Sequence, residues 1–164
     1  MAVRGQFVLD DVSRAIIEQL QEDGRRSYAR IASAVGLSEA AVRQRVQRLL
    51  DAGVMQIVAV TDPMQVGFSR QAMVGVRTGG DPRTVADRIA EFTEVDYVVI
   101  TAGPIDLLVE VVCEDDDQLL EVVTRIRDVD GVRSTETHLY LGLRKQTYAW
   151  GTRRPPLPAG EQAD

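Results

Sequence analysis

Arg43, Gln44, Arg45, Gln47 and Arg48 fall within six consecutive positions of the stretch "AVRQRVQRLL". Guanidinium and carboxamide groups can hydrogen-bond base edges in a DNA groove, and guanidinium groups also bind phosphate. Arg25 and Arg26 form a second basic pair just ahead of Ser27, where they could reach a phosphate backbone. The segment "TAGPIDLL" is the other place where chemistry gathers. Gly103 and Pro104 interrupt two apolar runs, and Asp106 opens the second. Backbone groups and a carboxylate at a strand mouth suit the amino group of a small ligand. A plain turn explains the same residues equally well.

Other chemistries are poorly supplied. The single histidine, His138, and the single cysteine, Cys113, are far apart and form no metal-ligand cluster. Cys113 sits in the apolar run "LLVEVVCED" and reads as a small buried hydrophobe. Asp106, Glu110 and the acidic run 114–117 read as a helix start and a solvated edge. There is no phosphate loop and no serine elbow. The expectation is a protein that is not an enzyme and carries no cofactor or metal. No segment is long and apolar enough for a membrane span, and a cytoplasmic location is expected.

A net charge of -6 argues against nucleic-acid binding, but its distribution does not. Residues 1–60 hold eight arginines against seven carboxylates, a balance of +1, so the remaining residues carry -7. The acidity lies in the second part, and the arginines of the first are gathered in one place.

Positioning those arginines requires helices. Asp10 or Asp11 suits an N-cap, and Val12, Ile16, Ile17 and Leu20 recur at helical spacing up to a stop at Gly24. Ser27 caps a second helix with Ile31, Ala32 and Val35 inward. Gly36 supplies the left-handed backbone of the break. Ser38 caps a third helix, whose buried stripe is Val42, Val46 and Leu49. Three helices with a tight turn between the second and third predict a helix-turn-helix. With that stripe buried, Arg43, Gln44 and Gln47 fall on the open side, and Arg45 and Arg48 flank it. Ser38, Glu39 and Ala40 form the first turn, the part that enters a major groove in such units. Spacing leaves two readings open, DNA contact or a solvated basic face. The β-rich stretch "VMQIVAV" at 54–60 predicts a strand that starts a wing or a linker.

The rest reads as strands at 71–79, 95–102, 106–113 and 132–143, with helices from Asp81 and Pro82 and over 116–127. Val85, Ile89 and Phe92 recur as Leu119, Val123 and Ile126 at an offset of 34 residues. The order is β-α-β-β-α-β, a ferredoxin-like unit, and the fold class is α+β. The expected domains are 1–60, a linker over 61–69, a second domain over 70–145, and a Pro/Gly-rich tail over 146–164 that is disordered beyond 151. The strands at 98–100 and 107–112 are richer in apolar residues than one small domain needs. Pairing across a two-fold axis would cover one face, and any operator would then be roughly palindromic.

Taken in order, these motifs resemble the leucine-responsive regulatory protein/AsnC family, the feast/famine regulators. The resemblance runs over residues 9–145 and is carried by "LDDVSRAIIEQLQEDGRRSYARIASAVGLSEAAVRQRVQRLLDAGVM", "TDPMQVGF", "TAGPIDLLVEV" and "VDGVRSTETHLYL". It implies a winged helix-turn-helix followed by a ferredoxin-like effector-sensing domain. It further implies binding to double-stranded DNA, homodimers that assemble into octamers, and regulation by an amino acid or related metabolite held between C-terminal domains. The ligand site it implies lies at Thr101, Gly103, Pro104 and Asp106, with Ser134, Thr135 and Thr137 on the facing strand. Ile105 stands where the family usually has an aromatic residue, and Pro104 where an acidic or polar one is common. That exchange favours an apolar ligand side chain. The alternative is a small-molecule-binding protein of the same fold whose DNA binding is lost or independent of ligand.

Overall fold

The computed structural model describes residues 8–153. These divide into two compact units, one of 8–59 together with 145–153, the other of 60–144.

In the first unit, three helices follow their caps: α1 (Asp11–Glu22), α2 (Tyr28–Val35) and α3 (Glu39–Asp51). Each cap accepts a first-turn N–H that has no partner within its helix. Asp10 takes Ser13 N–H at 2.7 Å, Ser27 takes Arg30 N–H at 3.4 Å, and Ser38 takes Ala41 N–H at 3.2 Å. Gly36 ends α2 at φ 70°, a left-handed conformation that a side chain would strain. Ile16, Leu20, Ile31, Ala32, Val42 and Val46 close the core between the helices. A core this small gains little margin over the entropy of ordering its chain.

The strand expected at 54–60 does not form. Residues 55–62 belong to no helix or strand, and Ile57, Val58 and Val60 are exposed. β-rich composition is not sufficient for a strand, because backbone N–H and C=O groups need a ladder partner. Among the described residues no segment pairs with this one.

The second unit opens with a short 3-10 turn at Pro63–Gln65, capped by Asp62. Its elements are β1 (Arg70–Thr78), α4 (Pro82–Ile89), β2 (Val95–Ile100), β3 (Leu107–Cys113), α5 (Asp116–Asp128) and β4 (Val132–Leu139). The sheet order is β2-β3-β1-β4 with antiparallel neighbours, the ferredoxin-like arrangement. Ala72, Val74 and Val76 on β1 and Leu107, Val109, Val111 and Cys113 on β3 are buried with α4 and α5 residues such as Ile89 and Ile126. The period of two puts Gln71, Met73, Gly75 and Arg77 on the opposite face, with Leu108, Glu110 and Val112 of β3 and Ser134, Glu136 and His138 of β4.

The last strand is shorter than its apolar pattern predicts, ending at Leu139 rather than near 143. Tyr140 N–H still reaches Gln71 O at 2.8 Å, but β1 begins at Arg70, so later residues have no ladder to join. Leu141 and Leu143 are exposed. Of the tail expected to be disordered beyond 151, residues 152 and 153 are described. Gly151, Thr152 and Arg153 are hydrogen-bonded to α1, while 154–164 lie outside the described residues.

Candidate functional site

The outer side of α3 is set by its inner side. Burial of Val42, Val46 and Leu49 leaves Arg43, Gln44, Gln47 and Arg48 exposed, as are Glu39 and Ala40 in the first turn. These exposed groups differ in how far they are already engaged. Arg43 Nη2 pairs with Glu39 at 2.9 Å, and its guanidinium lies 5.1 Å above the Tyr28 ring. Gln47 Nε2 donates to Asp51 Oδ1 at 2.7 Å. Gln44 and Arg48 extend from the helix with no side-chain hydrogen bond among the described residues. Tyr28 escapes a reading by residue type, because its contact with Arg43 crosses from one helix to another.

Two of the arginines read as DNA-facing are drawn into the fold instead. Arg45 Nη1 donates to Asp10 Oδ2 at 2.6 Å and to Ser13 Oγ at 3.2 Å, tying α3 to the start of α1. The Ser13 hydrogen bonds, with Arg45 beside them, hold the Asp10 carboxyl down at about 2. Arg26 Nη1 is bound to Gln19 Oε1 at 2.5 Å and Glu22 Oε2 at 3.1 Å, both on α1. Arg45 flanks the buried stripe, as spacing indicates. Its partner lies 35 residues away in sequence, which spacing does not reveal. Arg25 remains exposed, and its backbone N–H donates to Asp23 Oδ1 at 2.9 Å. Ser27 and Ser38 spend their hydroxyls on caps.

In the second unit the loop after β2 is pinned at both ends. Asp106 Oδ2 accepts Thr78 N–H at 2.7 Å and Thr78 Oγ1 at 3.3 Å. Asp106 N–H donates to Val76 O at 3.0 Å, and Thr101 N–H donates to Asp106 O at 2.9 Å. The Thr101 hydroxyl donates to Ile105 O. Asp106 therefore works as an anchor that fastens the loop to the end of β1. Gly103 and Pro104 are exposed at the loop tip.

The concave site lies beside Ile105, on the sheet face away from the helices. It is a cavity of about 310 Å³ lined by Gly75, Arg77, Ile105, Ser134, Thr135 and Glu136. Gly75 forms its floor for a steric reason. A Cβ there would meet Ile105 Cδ1 at 3.0 Å, so the bare backbone is what lets Ile105 lie against the strand. Arg77 is exposed on the wall, and Glu136 stands 3.7 Å from His138 Nε2. The cavity thus offers one cationic side chain, one carboxylate and one aliphatic surface. Of the loop residues expected to hold a ligand, Ile105 lines it, while Thr101, Gly103, Pro104 and Asp106 do not. Ser134 and Thr135 line it. Thr137 does not, because its register opposite Val74 puts it on the helix side. Thr135 Oγ1 points the same way, accepting Arg127 Nε at 2.9 Å. Sequence reasoning missed Gly75, Arg77 and Glu136. The isolated glycine within the apolar run "MVGV" was the available signal of a close approach.

The same sheet face carries a second polar group of interest. Glu110 accepts Gln71 Nε2 at 2.9 Å and is hydrogen-bonded to Tyr140. Burial, then that bond, pushes the Tyr140 hydroxyl up to about 12. Among these polar groups the face also carries Met73, Leu108 and Val112, each partly open to solvent. Burial pushes the Cys113 thiol up, which leaves it unreactive in the core. Among the described residues no helix is long and apolar enough to cross a membrane, and no cluster of three His, Cys, Asp or Glu side chains could hold a metal ion.

A three-helix unit presenting a polar recognition helix, joined to a sheet unit with a small cavity, defines a helix-turn-helix protein with a ligand-binding module. Comparison with known proteins agrees on both parts. Residues 9–50 match the AsnC-type helix-turn-helix domain and residues 71–150 the Lrp/AsnC ligand binding domain. The chain belongs to the Lrp/AsnC family of transcriptional regulators. It is 34% identical over 146 residues to an uncharacterized HTH-type transcriptional regulator of Pyrococcus horikoshii, covering 86% of this chain and 91% of that one. Among solved structures it resembles AsnC of Escherichia coli, with TM-score 0.74, 25% identity, and coverage of 87% of this chain and 98% of that one. It also resembles a transcriptional regulator of Neisseria meningitidis solved in complex with L-Met. That match has TM-score 0.73, 26% identity, and coverage of 87% and 96%.

Proposed function

We propose that this chain is a sequence-specific DNA-binding regulator of transcription whose activity or assembly responds to a small amino acid or related metabolite. The observation that carries the reading is the split among the cations of the first unit. Arg26 and Arg45 are held within it, while Gln44 and Arg48 project from α3 beside the half-engaged Arg43. Ser38, Glu39 and Ala40 lead this helix into the major groove, Gln44 and Arg48 address bases, and Arg25 meets the phosphate backbone. The protein works in the cytoplasm as a homodimer or larger assembly. The partly open apolar residues on the free face of the sheet support pairing with a second copy, and a two-fold pair calls for a roughly palindromic operator.

The effector occupies the cavity beside Ile105 as a zwitterion. Arg77 takes its carboxylate, Glu136 its ammonium, and Ile105 packs against an apolar side chain. Asp106 and Thr101 hold Ile105 in place from behind, and Ser134 and Thr135 complete the wall. The relative solved with L-Met supports a ligand of this class. A mobility-shift assay on the DNA upstream of the chain's own gene, at stated salt, tests the first half. A shift that disappears on random DNA is expected, and no shift at low salt favours a ligand-binding protein without DNA binding. Thermal-shift screening of the amino acids, repeated on Arg77→Gln, tests the second half. Stabilisation lost in the variant is expected, and equal stabilisation of both places the ligand elsewhere.

A further inference from the structure

One side of α1 is occupied by the far end of the same chain. Arg14, Glu18 and Gln21 follow at helical spacing and so share a face. They meet three consecutive residues of the returning segment in order. Gly151 N–H donates to Gln21 Oε1 at 3.0 Å. Thr152 N–H and its hydroxyl both donate to Glu18 Oε1, at 3.2 and 2.5 Å. Arg14 Nη1 donates to Arg153 O at 2.5 Å, while its Nη2 holds Leu9 O at 3.2 Å. This ordered match satisfies two backbone N–H groups and a carbonyl of an otherwise irregular segment. It is why residues 145–153 cluster with the helices rather than with the sheet that precedes them.

The chain therefore crosses between its two units twice, near 60 and near 144. The second crossing starts from β4, the strand that supplies Ser134, Thr135 and Glu136 to the cavity. Its last hydrogen bond to the sheet is Tyr140 N–H on Gln71 O. Hydrogen bonds at this level of exposure are individually weak, which suits a contact that can open and close. Folding of the sheet unit fixes one end of the segment and so raises the effective concentration of the other near α1.

We propose that residues 151–153 form a regulatory arm. Docked on Arg14, Glu18 and Gln21, it restrains the helix-turn-helix unit and links it to the cavity-lining strand by a route separate from the linker. Restraint pre-organises the helix-turn-helix units of a pair for two half-sites, and release of the arm weakens specific binding without touching α3. The inference takes from the proposed function only DNA binding by paired copies.

The test uses the full chain with two kinds of change, Glu18→Ala with Gln21→Ala on the helix and Thr152→Pro on the arm. The proline removes the N–H and the hydroxyl together. Hydrogen exchange at 150–153 reads docking. Fluorescence anisotropy on the upstream fragment of its own gene and on a random duplex of equal length reads the consequence. Both variants are expected to lose protection at Gly151, the helix variant at Thr152 as well, and both to bind the upstream fragment about five- to tenfold more weakly, with random-duplex binding unchanged. Retained protection in both variants overturns the docking. Lost protection with unchanged affinity, or equal weakening on both duplexes, overturns the regulatory role. If wild type binds neither duplex, the DNA-binding reading falls and the regulatory role with it, while exchange at Thr152 still reports whether the arm docks.

Discussion

Removing the Asp10 carboxylate separates the structural arginine of α3 from the recognition residues beside it. Asp10 does two things: it caps α1 through Ser13 N–H and it pairs with Arg45. The cap is worth about 1 kcal/mol. The pair is partly screened, with side chains 53% and 26% exposed, and contributes about 0.5–1 kcal/mol. Asp10→Ala should therefore cost about 1.5–2 kcal/mol, and Asp10→Asn, which keeps a capping oxygen, about half of that. Arg45→Ala should cost about 1 kcal/mol, with a coupling to Asp10 near 0.5–1 kcal/mol in a double-mutant cycle. The carboxyl is lowered from 3.8 to about 2 on folding, so its contribution is fully present above the unfolded value. It fades as pH falls from about 5 towards 2. The unscreened shift corresponds to about 2.4 kcal/mol, and solvent exposure brings the expected loss nearer 1 kcal/mol. To read the first unit by itself, the assay is native-state hydrogen exchange on α1 and α3 amides at several pH values. DNA affinity is measured in parallel under conditions where the variant is folded. Arg45→Ala that leaves exchange unchanged but weakens DNA binding would refute the assignment and make Arg45 a contact residue.

Other substitutions probe the remaining parts. Gln44→Ala should lower discrimination between the operator and random DNA by about 1–3 kcal/mol per site while leaving stability unchanged, read by anisotropy on both duplexes. Arg25→Ala should weaken binding to both duplexes alike and reduce the salt slope by about one unit. Gly75→Ala places a methyl group 3.0 Å from Ile105 Cδ1 and should displace that side chain, abolishing the effector's thermal shift in calorimetry with at most a modest stability loss. Asp106→Ala leaves Thr78 N–H without its acceptor and should raise exchange at Thr78 and Thr101, weakening effector binding indirectly.

The helices were legible because their signals are local. Asp10, Ser27, Ser38 and Asp81 each accept an N–H within three residues, so the cap and the helix it starts sit side by side in sequence. The sheet order followed from the alternation of strands and helices. What was not legible depends on partners distant in sequence. The strand expected at 54–60 needs a ladder that the described chain does not offer, and composition cannot report that. Arg45 and Gln44 are neighbours on α3, and the difference between them lies in Asp10 and Ser13 on another helix. The cavity brings β1 and β4 together by register, Gly75 opposite Glu136 and Arg77 opposite Ser134, which periodicity alone leaves free. The segment "TAGPIDLL" left a ligand loop and a plain turn equally open, because a carboxylate at a strand mouth can face a ligand or its own backbone, and here Asp106 faces Thr78.

In the proposed regulator, Gln44 and Arg48 on α3 read DNA. Anisotropy titration of wild type and of the Gln44→Ala, Arg48→Ala double variant against the upstream fragment of the chain's own gene, across a salt series, tests it most directly. Wild type is expected to bind tightly with an affinity that falls steeply with salt, and the variant to remain folded but bind this fragment no better than random DNA. Wild type that distinguishes the two duplexes, with a double variant that distinguishes them equally well, would contradict it.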